Sequence, residues 1–222
     1  MADAKPDMVR LQPPSRLEVS LGEMMYTQRA IRRLKPDPIS DADLELILDA
    51  ASKAPNGGNV QPGRFLVIRD RERIRAFGKL YHEAWWAKRR DGKLPWAESQ
   101  DRTQIPADDK VHQSAALLAD EIKDAPAIVL VFSLTKGTAN SVFPPAQNLM
   151  LAARALGIGS TLTTLHPTVM ERVYQLLGIP ADVEFHACIP LGYPRGRFGP
   201  TSRFPTRFTT HWDRWGQPPP WK

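Results

Sequence analysis

Two short stretches carry residue types from which a binding chemistry can be read. The first runs Thr27, Gln28, Arg29, Ala30, Ile31, Arg32, Arg33, Leu34 and concentrates cations at what reads as the end of a helix. A phosphate ester needs donors in a fork, and the planar guanidinium of arginine provides them. A spacing of three can put Arg29 and Arg32 on one side of a helix end. The second stretch, Ala54 to Pro62, holds Asn56, Gly57, Gly58, Asn59 and Gln61 just before a strand. Glycine lets backbone approach a planar ligand, and Asn and Gln offer both donors and acceptors to a ring's polar edge. Together the two could hold a phosphate tail and a flat ring, which points to a flavin and to redox chemistry done by a cofactor. Taken singly, each has a plainer reading: arginines complement a helix dipole, and Asn-Gly is a common turn.

A third group, Thr161, Thr163 and Thr164, ends a Thr-rich strand predicted over residues 160–164. Hydroxyls there could donate to a ring nitrogen, or simply reflect the β-propensity of threonine. The preceding Gly157-Ile158-Gly159 is not a dinucleotide fingerprint, because it follows a helix and no third glycine or new helix opens there. The five histidines show no metal-ligand spacing, and no nucleophile elbow or Walker loop is present.

Composition narrows the classes. The chain has 222 residues, of which 42% are hydrophobic, enough for a substantial core. A single cysteine, Cys188, excludes an internal disulfide, and its apolar surroundings favour a buried, inert thiol. The polar N-terminus has no apolar signal region, and the longest apolar stretch is far too short to span a bilayer. A soluble, cytoplasmic protein without a membrane partner is expected. The net charge of +6 invites a nucleic-acid reading, but no recognition motif accompanies it, so no nucleic-acid partner is expected, and the arginines either bind a phosphorylated small molecule or sit on a solvated face.

These residues need elements to position them. Residues 1–19 read as an extended arm. Ser20 and Glu23 form a capping-box pattern that starts a short helix. A second helix follows Ser40, with Leu44, Ile47, Leu48 and Ala51 on one face. Residues 64–69 read as a strand, and Asp70 then caps a helix with Ile74, Phe77, Tyr81 and Trp85 on one face. Residues 91–109 read as a long irregular insert, functional or mobile. Trp85, Trp86 and Trp96 flank it and either roof a pocket or pack in the core. Helices are predicted over 112–122, 141–156 and 167–177, and strands over 127–134 (near-continuously apolar, hence central) and 185–191. The tail after Tyr193 has no period, yet carries Trp212, Trp215 and Trp221, which need a surface to cover. With the arm, it is expected to wrap a partner subunit, the alternative being that it packs on its own domain.

In order along the chain, Gln28 to Leu34, Pro36 to Ile39, Ala54 to Pro62, Phe65 to Asp70, Pro145 to Gly159 and Ile189 to Pro194 resemble the FMN-dependent nitroreductase family. The resemblance covers about residues 20–215. It implies an α+β fold with a central, mostly antiparallel sheet flanked by helices. It also implies an intertwined homodimer with exchanged termini, a domain over 20–194 and a partner-wrapping tail over 195–222. By the same resemblance, Gln28, Arg29, Ala30 and Arg32 contact the FMN phosphate and ribityl chain. Pro55, Asn56, Gly57 and Asn59 line the ring's loop. Leu162, Thr163 and Thr164 lie along the ring, with Thr164 the catalytic candidate near N5, and Arg203 reaches the phosphate. Gln28 and Ala30 stand where the family usually has Arg and Ser, so weaker FMN binding is expected.

The implied activity is FMN-dependent NAD(P)H oxidoreduction, with NADPH or NADH as donor and a nitroaromatic or quinone as acceptor, by a ping-pong cycle. Other flavin chemistry on the same scaffold (reductive dehalogenation or flavin cleavage) and a non-catalytic FMN-binding protein are the alternatives.

Overall fold

The computed structural model describes residues 14–221. The arm expected over residues 1–19 therefore lies largely outside the described residues. Six α-helices and four strands follow in the order α1 (Leu21–Thr27), α2 (Asp41–Ser52), β1 (Gly63–Ile68), α3 (Arg71–Asp91), α4 (Lys110–Glu121), β2 (Ala127–Ser133), α5 (Phe143–Ala155), β3 (Gly159–Ser160), α6 (Pro167–Leu177) and β4 (Glu184–Gly192). The sheet order is β1-β2-β4-β3, antiparallel throughout. This is the expected α+β class.

Local chemistry sets the helix starts. Ser20 accepts from the Glu23 amide at 3.2 Å, Ser40 from Asp43 at 3.0 Å, Asp70 from Arg73 at 2.9 Å and Asp109 from His112 at 3.1 Å. Each satisfies an amide that the helix itself leaves without an acceptor. Gly157, at φ 74°, turns the chain out of α5. A side chain there would meet the left-handed strain that glycine avoids.

β2 is the central strand, with all seven residues buried. Its alternation feeds two cores. Ile128, Leu130 and Phe132 face a cluster with Ile74, Phe77, Tyr81, Trp85 and Trp86 of α3 and Val169 and Val173 of α6. Val129 and Val131 face Leu44 and Ile47 of α2 and Ala146 and Leu149 of α5. The period of two thus assigns α3, α4 and α6 to one face of the sheet and α2 and α5 to the other.

The Thr-rich strand is shorter than predicted. β3 holds only Gly159 and Ser160, and pairing resumes at one bridge, Thr163 to Cys188. Thr161 and Leu162 leave the ladder between them, which frees this stretch to line a cavity. Residues 92–109 contain only a short turn at Arg102–Gln104 and are irregular, as expected, but they are pinned. Ala97 and Ile105 are buried there, and Gln113 donates to the Ile105 carbonyl at 2.6 Å. Trp96 stacks on Trp85 at 6.1 Å between ring centres, and Trp86 is fully buried, donating from its indole to His82 Nε2 at 3.0 Å. Among the described residues, no helix is long and apolar enough to cross a membrane.

Candidate functional site

Segment 28–34 reaches its place by extending the sheet edge. Ala30 bridges Ser160 in parallel, and the Ile31 amide donates to the Ser160 carbonyl at 2.9 Å. Gly159 permits the approach: a Cβ on it would sit 2.7 Å from Cγ2 of Ile31. The edge pairing carries Arg32 beside Thr161 to Thr164, far away in sequence. On the other side, the Tyr81 hydroxyl of α3 lies 2.9 Å from Oγ1 of Thr163.

A cavity of about 120 Å³ results, lined by Arg32, Tyr81, Ala84, Trp85, Lys88, Arg89, Ala115, Leu118 and residues 161–164. Burial pushes the Tyr81 phenol well above its ordinary pKa, so the hydroxyl stays neutral and able to donate. Arg89 is pressed downward by burial, and its guanidinium stacks 4.2 Å from the centre of the Trp85 ring. Among the described residues, Arg29, Arg32, Arg33, Lys88 and Arg89 form no ion pair.

Of the residues expected from the sequence, Arg32, Leu162, Thr163 and Thr164 come together at this cavity. Gln28 does not line it: it is half-buried with its amide on the sulfur of Met150 at 3.8 Å, and Met150 belongs to the core on the α5 side of the sheet. Arg29 and Ala30 are exposed on the same edge. Arg203 is exposed as well, bonded among the described residues only to the neighbouring Ser202 carbonyl at 2.8 Å, but the chain just before it is tied to the end of α1 by the Thr201 amide donating to the Tyr26 carbonyl at 3.0 Å.

The loop of Pro55, Asn56, Gly57 and Asn59 is elsewhere. Gly57 donates to the Ser141 hydroxyl at 3.1 Å, ahead of α5, whereas Thr27 and Gln28 meet Arg154 and Met150 in its second half. At 1.5 Å per residue the two stretches stand roughly 15–20 Å apart along α5. They also flank opposite edges of the sheet, since the loop precedes β1 and Ala30 lies outside β3. One chain does not bring the two together. The loop is nonetheless shaped: Gly58, Asn59 and Gln61 all have φ between 52° and 58°, and the Gln61 amide donates to Oδ1 of Asn56 at 2.8 Å. Left-handed backbone at two non-glycine residues is a mark of constrained, often functional, segments.

Ala84, Lys88, Arg89, Ala115 and Leu118 line the cavity at positions that no sequence motif marks, and Tyr81 and Trp85 line it as well. Tyr81 lies on the apolar face of α3, where periodicity alone reads as core. The available signal was its hydroxyl, which needs a partner when buried, together with two cations three and four residues after Trp85.

Residues 26–193 match the model of the nitroreductase family. An Archaeoglobus fulgidus protein with the provisional name NADH dehydrogenase/NAD(P)H nitroreductase is 30% identical over 175 residues, covering 78% of this chain and 84% of the relative. An iodotyrosine deiodinase of Thermotoga neapolitana is 27% identical over 180 residues, covering 78% and 88%. The fold is similar to that of a crystal structure of oxidised iodotyrosine deiodinase bound to FMN and 3-iodo-L-tyrosine, with a TM-score of 0.65, 24% identity, and coverage of 84% of this chain and 94% of that one.

Proposed function

The chain belongs to the nitroreductase family, and on that premise we propose that it is an FMN-dependent oxidoreductase that carries electrons from NADPH or NADH to a nitroaromatic or quinone acceptor. The observation that carries this reading is the group of arginines without ion pairs on the sheet edge, Arg29 and Arg32, beside a cavity edged by threonine hydroxyls. Cations without counter-ions suit a phosphate, and hydroxyls suit the polar atoms of a ring, so the residues present fit FMN.

When bound, FMN supplies the redox chemistry, accepting a hydride equivalent and passing electrons on. The overall balance for a nitro acceptor is NAD(P)H, a proton and the nitro compound giving NAD(P)+, the nitroso compound and water. The protein's own residues bind and orient. Arg29 and Arg32, with Arg203 from the tail, would hold the phosphate and the chain behind it. Gln28 takes the place of a further cation, which weakens the hold. Leu162 would shield the ring from water, and the Thr164 hydroxyl would be the donor offered to its reacting nitrogen.

The loop at Pro55 to Asn59 cannot join this set within one chain, so a second copy supplies it in a homodimer. The exposed aromatics of the tail support this: Phe204 is 81% and Trp215 91% exposed, a poor arrangement for a chain alone in water.

The test is an anaerobic visible spectrum before and after NADPH. A flavin spectrum that bleaches promptly is expected. No flavin after incubation with FMN would overturn the reading. The likeness to a deiodinase favours reductive dehalogenation as a second reading; halide release from a halophenol, with no turnover of nitro compounds, would put it first.

A further inference from the structure

Among the described residues Thr164 has no hydrogen bond of its own, on side chain or backbone, and neither has Leu165 after it. The place of Thr164 is inherited from the residues on either side, and α3 holds both. Thr163 is fixed at three points. Its amide donates to the Cys188 carbonyl at 2.9 Å, its carbonyl accepts from the Cys188 amide at 2.8 Å, and its hydroxyl lies 2.9 Å from the Tyr81 phenol. Two residues beyond Thr164, His166 is fixed at both ring nitrogens. Nδ1 accepts from the Thr168 amide at 3.4 Å and caps α6, which leaves the proton on Nε2. Nε2 then donates to the Asp91 carboxylate at 2.8 Å.

Tyr81 and Asp91 belong to one helix, on which their positions are about 15 Å apart. Thr163 and His166 are joined by a link that spans at most about 10 Å. A rigid element therefore grips a short irregular one near both ends. The two contacts differ in strength. Tyr81 is buried, with its ring packed against Phe77, so the phenol has little freedom and little competing water. Asp91 is 68% exposed, so water competes for its carboxylate. The contact at Tyr81 carries more of the hold, and Tyr81, Thr163 and Thr164 line the same cavity.

We propose that Tyr81 and His166 are positioning residues for the flavin chemistry: through Thr163 on one side and the turn into α6 on the other, they set where the Thr164 hydroxyl stands against the ring. The proposal rests on the flavin reading and goes beyond it by naming residues that act on the ring through a third.

The test reads the midpoint potential of the bound flavin, by anaerobic titration of the FMN-loaded protein against a reference dye. Thr164→Val sets the direction and size of the shift that loss of the hydroxyl produces. Tyr81→Phe should shift the potential in the same direction by a smaller amount, and His166→Asn by less still. Asparagine keeps a cap acceptor for α6 while removing the donor to Asp91. Neither variant should add to the shift when combined with Thr164→Val, because no hydroxyl then remains to be positioned. Thr163→Ser, which keeps the hydroxyl, should hold the wild-type potential, and Thr163→Val should match Tyr81→Phe. A second readout needs no flavin. In Tyr81→Phe the Thr163 and Cys188 amides should exchange about fivefold faster relative to those of the β1–β2 pair, the worth of one buried hydrogen bond. An unmoved potential in Tyr81→Phe or in His166→Asn would overturn the proposal for that residue. Amide exchange that keeps its wild-type ratio would overturn it for Tyr81. Shifts that add in full to that of Thr164→Val would put Tyr81 directly on the ring and also overturn it, as would a Thr164→Val protein at the wild-type potential. Failure of the flavin reading would show differently, as a protein that takes up no FMN, and the proposal would fall with it.

Discussion

The phenol of Tyr81 and the hydroxyl of Thr163 meet at 2.9 Å, joining the middle of α3 to the irregular stretch after β3. Two backbone bonds between Thr163 and Cys188, at 2.9 and 2.8 Å, fix the other side of that contact. The pair thus locks the cavity's wall to the sheet. Tyr81→Phe removes one buried hydrogen bond and should cost about 1 kcal/mol of stability, read from denaturant unfolding.

The same phenol gives a pH prediction. Its folded-state pKa is raised, first by burial and then by Cys188, above the ordinary tyrosine value of about 10. A raised value means that its contribution to stability is complete below the unfolded pKa and is lost as pH climbs towards the folded one. Absorbance titration at 295 nm should show Tyr81 ionising only with alkaline unfolding. The Tyr81→Phe variant should lose no amplitude from the phase that precedes unfolding.

Gly78 sits mid-helix in α3, where alanine is the better helix former by about 1 kcal/mol. A Cβ there would lie 2.8 Å from Cβ and 3.0 Å from Cα of Lys123, and backbone does not yield as a side-chain tip does. Overpacking of this kind costs about 1–3 kcal/mol. Gly78→Ala should therefore destabilise, with a lower Tm in calorimetry; a raised Tm would show that α3 can shift away.

Cys188 is wholly buried, and burial pushes its thiol pKa up, so little thiolate forms at neutral pH. Iodoacetamide at pH 8 should leave the native protein unlabelled and alkylate it in guanidinium. Labelling under native conditions would reveal local opening of the β2–β4 pair.

Arg29 is exposed and, among the described residues, without an ion pair, so its loss should spare the fold and weaken FMN. Arg29→Ala should raise the FMN Kd about ten- to a hundredfold, the range for one charge-assisted bond. Quenching of flavin fluorescence measures it, and an unchanged Kd would remove Arg29 from the site.

The elements were legible where one local rule decided them. Ser20, Ser40 and Asp70 announce their helices by capping, and the apolar run at 127–134 announces a strand buried on both faces. The cavity was not legible in the same way. Its wall combines Arg32, Tyr81 and Thr163, which no period links; only the bridge of Ala30 to Ser160 and the packing of α3 bring them together. Tyr81 reads as core because it is core, and Trp85, which reads either as core or as the roof of a pocket, is both; their polar atoms turn that core into a site. The length of β3 was overestimated because threonine favours strands wherever they form, while the ladder at Thr161 and Leu162 is broken by tertiary placement.

The spacing that α5 imposes between Gln28 and Gly57 makes the cofactor, on the dimer reading, a ligand of the assembly rather than of a chain. Flavin retention would then depend on protein concentration as well as flavin concentration. Dilution would strip the cofactor, and excess cofactor would pull monomers together. Sedimentation velocity across a dilution series, followed at a flavin wavelength, should show colour and dimer disappearing together.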